Sequence, residues 1–338
     1  MDLNTTWFLL IGVLLGGYAV LDGFDLGVGV LHLFARSDRE RSANLRAVGP
    51  FWDGNEVWLL AGGGAMFAAF PVLYATVFSG FYLAFMLLLV ALILRATALE
   101  FHHQVDSPRW RRFWDWCFGI GSLVPALLLG VALGNVIRGL PVTAAAQLRT
   151  GLWPLLNPFA LLTGLLGLAL FVMHGAAWLR LKTEGEPQAR MGRWLTGAWM
   201  GVIVLFLTVV ASSFFAAPRL FNGLLSRPVF WLLLILMLGA LIALPLLARA
   251  GRHLAAFLAS AVIVVAPFGL AATGLFPRLV LSSIDAANDL TIYNAASTPR
   301  TLTAMLVIAL IGMPLVIVYH VYVYRTFAGK VGPGDGHY

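Results

Sequence analysis

A single cysteine, Cys117, occurs in 338 residues, so no disulfide can form within the chain. Charge is scarce as well. Asp, Glu, Lys and Arg supply only 11% of the residues, where a soluble domain carries about 25%. Several chemical signatures are missing: H-E-x-x-H, C-x-x-C, histidines paired at i, i+4, a nucleotide-binding loop, a hydrolase elbow and any Ser–His–Asp pattern. Their absence excludes the common hydrolase and metal-site chemistries, and it leaves the chain alone without the means for redox chemistry. No basic stretch precedes the first apolar run, since the first basic residue is Arg36, so no secretory leader is expected. Low-complexity tracts and linkers longer than about 25 residues are absent too.

What remains is a chain that is 60% hydrophobic, with mean hydropathy +0.89 and a net charge of +7. The basic residues sit in short loops between apolar runs, as orientation signals do, and not in a nucleic-acid-binding face. The expected fold is all-α and membrane-integral. About 20 apolar residues cross the hydrocarbon layer, and nine such runs are found near 7–34, 52–73, 77–101, 114–138, 157–181, 195–217, 229–249, 254–275 and 302–325. The links around 71–77 and 249–254 are the shortest and imply antiparallel neighbours. The sequence reads as one membrane domain over 1–338, with a four-helix unit in 1–138, a second in 157–275 and a ninth helix at 302–325. Support for a duplication is slight: Leu21-Asp22-Gly23 echoes Met173-His174-Gly175.

Of the 22 Lys and Arg residues, fifteen fall in the tail or in loops that follow odd-numbered runs, six fall on the other face, and Arg95 lies within a run. The positive-inside rule then places the N-terminus in the periplasm and the C-terminus in the cytoplasm. Most tryptophans fall near the ends of the runs, as an interfacial belt requires. Trp52 and Trp58 differ from the rest because they flank carboxylates.

The second run opens Trp52-Asp53-Gly54-Asn55-Glu56-Val57-Trp58, and the first closes on Asp22 and Asp25. With this orientation Asp22, Asp25, Asp53, Glu56, Arg95, Glu100 and Asp115 all lie in the cytoplasmic half of the first four runs. A charge at the bilayer centre costs about 2.5–3.5 kcal/mol on insertion scales, and such residues mark ion or proton routes. Arg95 is expected to pair with one carboxylate, Glu100 or Asp25, and cannot neutralise the full set. The others are candidates for carrying protons, because desolvation and like charge favour a protonated carboxyl. Salt-bridged helix ends are the bland alternative, strongest for Glu100 and Asp115. His174 and His320 also fall within runs, where a lone histidine is most often simply hydrogen-bonded.

Gly23-Phe24-Asp25-Leu26-Gly27-Val28-Gly29, Trp52 to Leu59, Ser79-Gly80-Phe81-Tyr82, Trp110 to Trp116 and Leu156-Asn157-Pro158-Phe159, in this order, closely resemble subunit II of the bd-type quinol oxidases, the cyanide-insensitive branch included. The resemblance extends over essentially the whole chain and is strongest in 20–160. It implies nine spans, arranged as two four-helix units plus one helix, in the bacterial cytoplasmic membrane. It implies a heterodimer with a haem-bearing subunit I that holds two b haems, the d haem and the quinol-oxidising loop, while subunit II binds no haem. Quinol and oxygen are then the substrates of the complex, and protons for water come from the cytoplasm.

The family pattern also implies a proton path with Asp53 near its entrance. Asp25, Glu56, Arg95 and Asp22 are expected along it, with Trp52, Asn55 and Glu100 in support. Glu56 departs from the pattern, since other members can carry Gln there. Some members hold a quinone in subunit II as a structural lipid, but no motif here places one. The resemblance also leaves room for a small single-helix subunit and for bound membrane lipid. The competing reading is a proton- or cation-coupled secondary transporter. It would require broken helices and midplane polar residues in both halves, yet the second half is nearly free of charge inside its runs.

Overall fold

The computed structural model describes residues 2–148 and 150–331; Arg149, one of the six basic residues counted on the periplasmic face, and the histidine His337 lie outside them. Twelve α-helices appear among the described residues: α1 Leu3–His32, α2 Asp38–Val48, α3 Trp52–Ala69, α4 Pro71–Gly80, α5 Tyr82–Phe101, α6 Pro108–Arg138, α7 Leu152–Leu155, α8 Pro158–Lys182, α9 Gly185–Ala216, α10 Pro228–Arg249, α11 His253–Leu275 and α12 Pro299–Thr326. Eight of them, α1, α5, α6 and α8 to α12, are long and apolar enough to cross a membrane.

The second expected run differs from this. It becomes α3, of 18 residues, about 27 Å at 1.5 Å per residue. Asp53, Asn55 and Glu56 in its opening turns and Gly62 to Gly64 further on make it less apolar than the eight. The expected tight link at 71–77 is instead the ten-residue α4, separated from α3 at Phe70, and the third run starts at Tyr82 rather than 77. Pro71 explains the break, because proline lacks the N–H an inner helical turn needs but suits a first turn. Phe67 meets Tyr74 edge-on, and Tyr74, Phe78 and Phe85 then stack in succession along α4 and into α5, holding α4 at the end of the bundle.

Polar caps start several helices, so α1 and α12 begin before their apolar runs and α8 begins at its own. Asp2 accepts from Thr5 N–H at α1, Asn157 from Ala160 N–H at α8, and Thr298 from Thr301 N–H at α12. Pro158 and Pro299 occupy the first helical turn, where the missing N–H costs nothing.

α1 is the central helix, packed against α3, α6, α8 and α11; α5 lies on α6, α6 on α8, α8 on α9, and α10 on α11. Gly27 of α1 and Gly175 of α8 meet backbone to backbone: a Cβ on Gly175 would stand 2.5 Å from the Gly27 carbonyl carbon. Small residues at such crossings let helices approach within membranes.

The two ends of the bundle differ. At the basic end α2 lies across the helix ends, its Ala47 carbonyl accepting from Trp178 Nε1 at 2.9 Å and its Glu40 holding Arg190 of α9. At the opposite end the 276–301 connection folds as a hairpin of β1 (Arg278–Val280) and β2 (Leu290–Thr291). Asp289 organises it, pairing with Arg219 and with Arg278 and accepting from Ser282 N–H.

Candidate functional site

The carboxylates of the first half do not form one cluster. One group gathers between α1, α3 and α5. Arg95 of α5 is fully buried, with Nη1 2.7 Å from Asp22 Oδ1 and Nη2 donating to Glu56 Oε2 at 3.0 Å. The expected partners were Glu100 or Asp25. Glu100 instead points outward at the end of α5, with no side-chain partner among the described residues. Asp22 wins over Asp25 because it lies one turn deeper in the bundle, level with the guanidinium. A planar guanidinium can bridge two carboxylates, as it does here.

Asp25 has a different partner. Asn55 of α3 donates through Nδ2 to Asp25 Oδ2 at 2.7 Å and to the Leu21 carbonyl at 3.0 Å. Tyr324 of α12 donates to Asn55 Oδ1 at 3.1 Å, so the last long helix reaches the same site. One turn before Tyr324, His320 Nε2 accepts from Trp58 Nε1 at 3.1 Å while its Nδ1–H donates to Val316 O at 2.9 Å. Those two bonds fix the neutral Nδ1–H tautomer.

Tyr18 precedes Asp22 by one turn on α1, so Tyr18, Asp22 and Asp25 share a face at i, i+4 and i+7. Tyr18 Oη, Asp22 Oδ2, Asp25 Oδ1 and Arg95 Nε are buried and make no hydrogen bond to any described residue. Buried polar atoms are rarely left in this state, and ordered water usually completes them.

The outer edge of the group is acidic. Glu56 keeps a 22% exposed side chain. Asp53, one turn nearer the basic end, is exposed and unpaired among the described residues, while Trp52 beside it packs against the core. Asp53 therefore lies at the mouth of the group and not inside it.

A second group centres on Asp115 of α6, which is salt-bridged at a helix end as the alternative reading had it, although its partners were not foreseen. Its Oδ1 meets His32 Nε2 at 2.8 Å and His102 Nε2 at 3.0 Å, and its Oδ2 lies 3.4 Å from Arg41 Nε. These contacts tie α1, α2, α5 and α6 together at the basic end. The pattern was hard to detect because the members lie at 32, 41, 102 and 115. Tyr18, Tyr324 and the Trp58–His320 bond were missed as well, although the one-turn spacings Tyr18–Asp22 and His320–Tyr324 were readable signals.

The two histidines read within the runs, His174 and His320, are both hydrogen-bonded. His174 has Nε2 3.0 Å from Val20 O and Nδ1 2.7 Å from Ser260 Oγ, and its ring stacks on Phe257 at 4.6 Å. Both nitrogens of His320 are also engaged.

The fold and this centre define an all-helical, multi-pass membrane protein with ionisable groups inside its bundle. The family model for cytochrome bd terminal oxidase subunit II matches residues 3–327. The chain is 36% identical over 368 residues to subunit 2 of the cytochrome bd-I ubiquinol oxidase of Escherichia coli strain K12, covering 98% of this chain and 96% of that one. It is 35% identical over 335 residues to subunit 2 of the cytochrome bd ubiquinol oxidase of Bacillus subtilis strain 168, covering 98% and 97%. In fold it is similar to the bd oxidase structure from Geobacillus thermodenitrificans, with a TM-score of 0.81 and 18% identity over 97% of this chain and 99% of that one.

The chain belongs to the family of subunit II of the cytochrome bd terminal oxidases. It is a multi-pass component of an oxygen-reducing quinol oxidase in the bacterial respiratory chain, and the transporter reading is set aside.

Proposed function

We propose that this chain is the haem-free partner of subunit I and that it carries protons from the cytoplasm toward the site of oxygen reduction. The observation that carries the reading is the group of Asp22, Asp25, Asn55, Glu56 and Arg95, whose exposed edge, at Glu56, is acidic. Eight long helices plus α3 make nine spans, with the N-terminus periplasmic and the C-terminus cytoplasmic, as the basic loops favour. The two four-helix units are α1, α3, α5, α6 and α8 to α11, with α12 as the ninth span.

The face of α3 that carries Asp53 and Glu56 also presents the exposed Val57 and Leu60. Lipid is a costly neighbour for two acidic side chains, so this face is the one that meets subunit I. Haems b and d, held by that subunit, supply the electron transfer and oxygen binding. Among the described histidines of the spans, His174 and His320 have both ring nitrogens engaged, while Nδ1 of His32 and Nδ1 of His253 have no partner. No motif assigns a quinone site or a small third subunit.

Asp53 takes up a proton at the mouth of the group. Glu56 lies one turn further in on the same face and leads to Asp22 and Tyr18. Asn55 holds Asp25 beside that line and Trp52 fixes the first turn. Arg95 balances the charge of Asp22 and Glu56 so that the line can hold an extra proton without stranding two bare carboxylates. Water joins the polar atoms that have no protein partner.

Asp53→Asn tests the route. Oxygen consumption or membrane-potential generation in the purified two-subunit complex should fall at least several-fold, while assembly and haem spectra stay normal. Wild-type turnover in that variant refutes the entrance role, and loss of haem assigns Asp53 to structure. Haem content is tested separately: the chain purified alone should give no Soret band, whereas the assembled complex shows both b- and d-type bands.

A further inference from the structure

At the basic end, well away from the carboxylate group, a groove of about 720 Å³ opens between the loop after α1 and the first half of α9. Arg36, Arg190 and Arg193 line its mouth, and Phe34 and Trp194 form its wall with rings 5.0 Å apart. The three arginines are not equivalent. Arg190 is neutralised: Nη1 donates to both Glu40 oxygens, at 2.8 and 2.6 Å, and Nη2 donates to the Phe34 carbonyl. Glu40 also accepts the backbone N–H of Arg36 at 2.7 Å. The guanidinium groups of Arg36 and Arg193 have no acidic partner among the described residues, and both are exposed. The groove mouth therefore carries two uncompensated positive charges, held in place by a neutralised third.

Below Arg193 the helix surface is open. Gly197 and Gly201 follow at i+4 and i+8 on one face, and a Cβ at either would meet nothing within 4 Å. Exposed Met200 and Val204 flank this furrow along the apolar length of α9. A charged mouth at the membrane interface, an aromatic wall and an apolar furrow beneath match one kind of molecule. Guanidinium groups bind phosphate in bidentate fashion, basic pockets between spanning helices hold anionic headgroups, and tryptophan favours the headgroup level.

We propose that this groove is a binding site for one anionic phospholipid, its phosphate held by Arg36 and Arg193 and one acyl chain lying along Gly197 and Gly201. The occupant is a lipid and not a soluble anion because the furrow continues the site into the apolar layer.

The test uses the assembled two-subunit oxidase in detergent and native mass spectrometry. It is titrated with phosphatidylglycerol, with phosphatidylcholine and with inorganic phosphate. Wild type should retain one more phosphatidylglycerol than the Arg36→Gln/Arg193→Gln double variant, with at least a tenfold loss of affinity for that molecule in the variant. Gly197→Leu, which fills the furrow and leaves the charges, should lose the same molecule; it keeps the test decisive if the double variant fails to assemble. Phosphatidylcholine and inorganic phosphate should not displace it. Equal phosphatidylglycerol binding in wild type and variants overturns the proposal, as does equal binding of phosphatidylcholine. Displacement by inorganic phosphate would reduce the site to a free-anion site.

Discussion

Replacing Arg95 with Leu should abolish most of the assembled oxidase. The guanidinium is fully buried and touches Asp22 and Glu56 at 2.7 and 3.0 Å. Its removal strands a fully buried carboxylate and a mostly buried one inside the apolar layer. Breaking a buried pair by deleting one partner costs about 3–5 kcal/mol, because the remaining charge has no compensation. A typical domain has only about 5–15 kcal/mol in hand. Yield of haem-loaded complex and its thermal unfolding midpoint measure the effect. Arg95→Lys should recover only part of the loss, since a single ammonium cannot bridge two carboxylates as a planar fork does. Arg95→Leu combined with Asp22→Asn should recover more than Arg95→Leu alone, because one stranded charge is removed with its partner. An Arg95→Leu complex with wild-type yield and midpoint would show that the three groups are not coupled in the membrane.

The same residue shows how far the sequence could be read. That Arg95 lies in the membrane near carboxylates followed from hydropathy alone. Which carboxylates it meets did not, because the answer depends on how deep α1 and α5 sit against each other and on the rotation of each helix. Asp22 and Asp25 are one turn apart, and periodicity puts them on one face without saying which is level with Arg95. The assignment of Asn55 to Asp25 was beyond reach for the same reason.

Long spanning helices were legible because each is a long apolar run with a polar end. The break at Phe70 was not, since the apolar run continues through it and only Pro71 marks the change. The partners of Asp115 were missed because His32, Arg41 and His102 look like ordinary loop-end residues in one dimension. Asp53 was foreseen among the carboxylates, and its exposure could not be, because exposure of a helix face depends on which neighbours cover it.

Gly175→Leu should disrupt the crossing of α1 and α8, and with it assembly. Gly27 and Gly175 face each other with no side chain between them. A Cβ on Gly27 would fall on the carbonyl of Phe171, and one on Gly175 would stand 2.5 Å from the Gly27 carbonyl carbon. Both obstacles are backbone, which cannot rotate aside as a side chain can. Forcing extra atoms into a packed interior costs about 1–3 kcal/mol even where side chains can shift; here a whole helix must move, so the cost should reach or exceed the upper figure. The displaced helix is α1, which carries Asp22 and Asp25, so the ion pair with Arg95 is disturbed as well. The expected result is loss of most haem-loaded complex for Gly175→Leu and a lowered unfolding midpoint for Gly175→Ala. Gly239→Ala on α10, where an added Cβ meets nothing within 4 Å, should leave both unchanged. Normal assembly of Gly175→Leu would mean that α1 and α8 are not locked at this crossing, and that the carboxylate centre does not depend on it for its alignment.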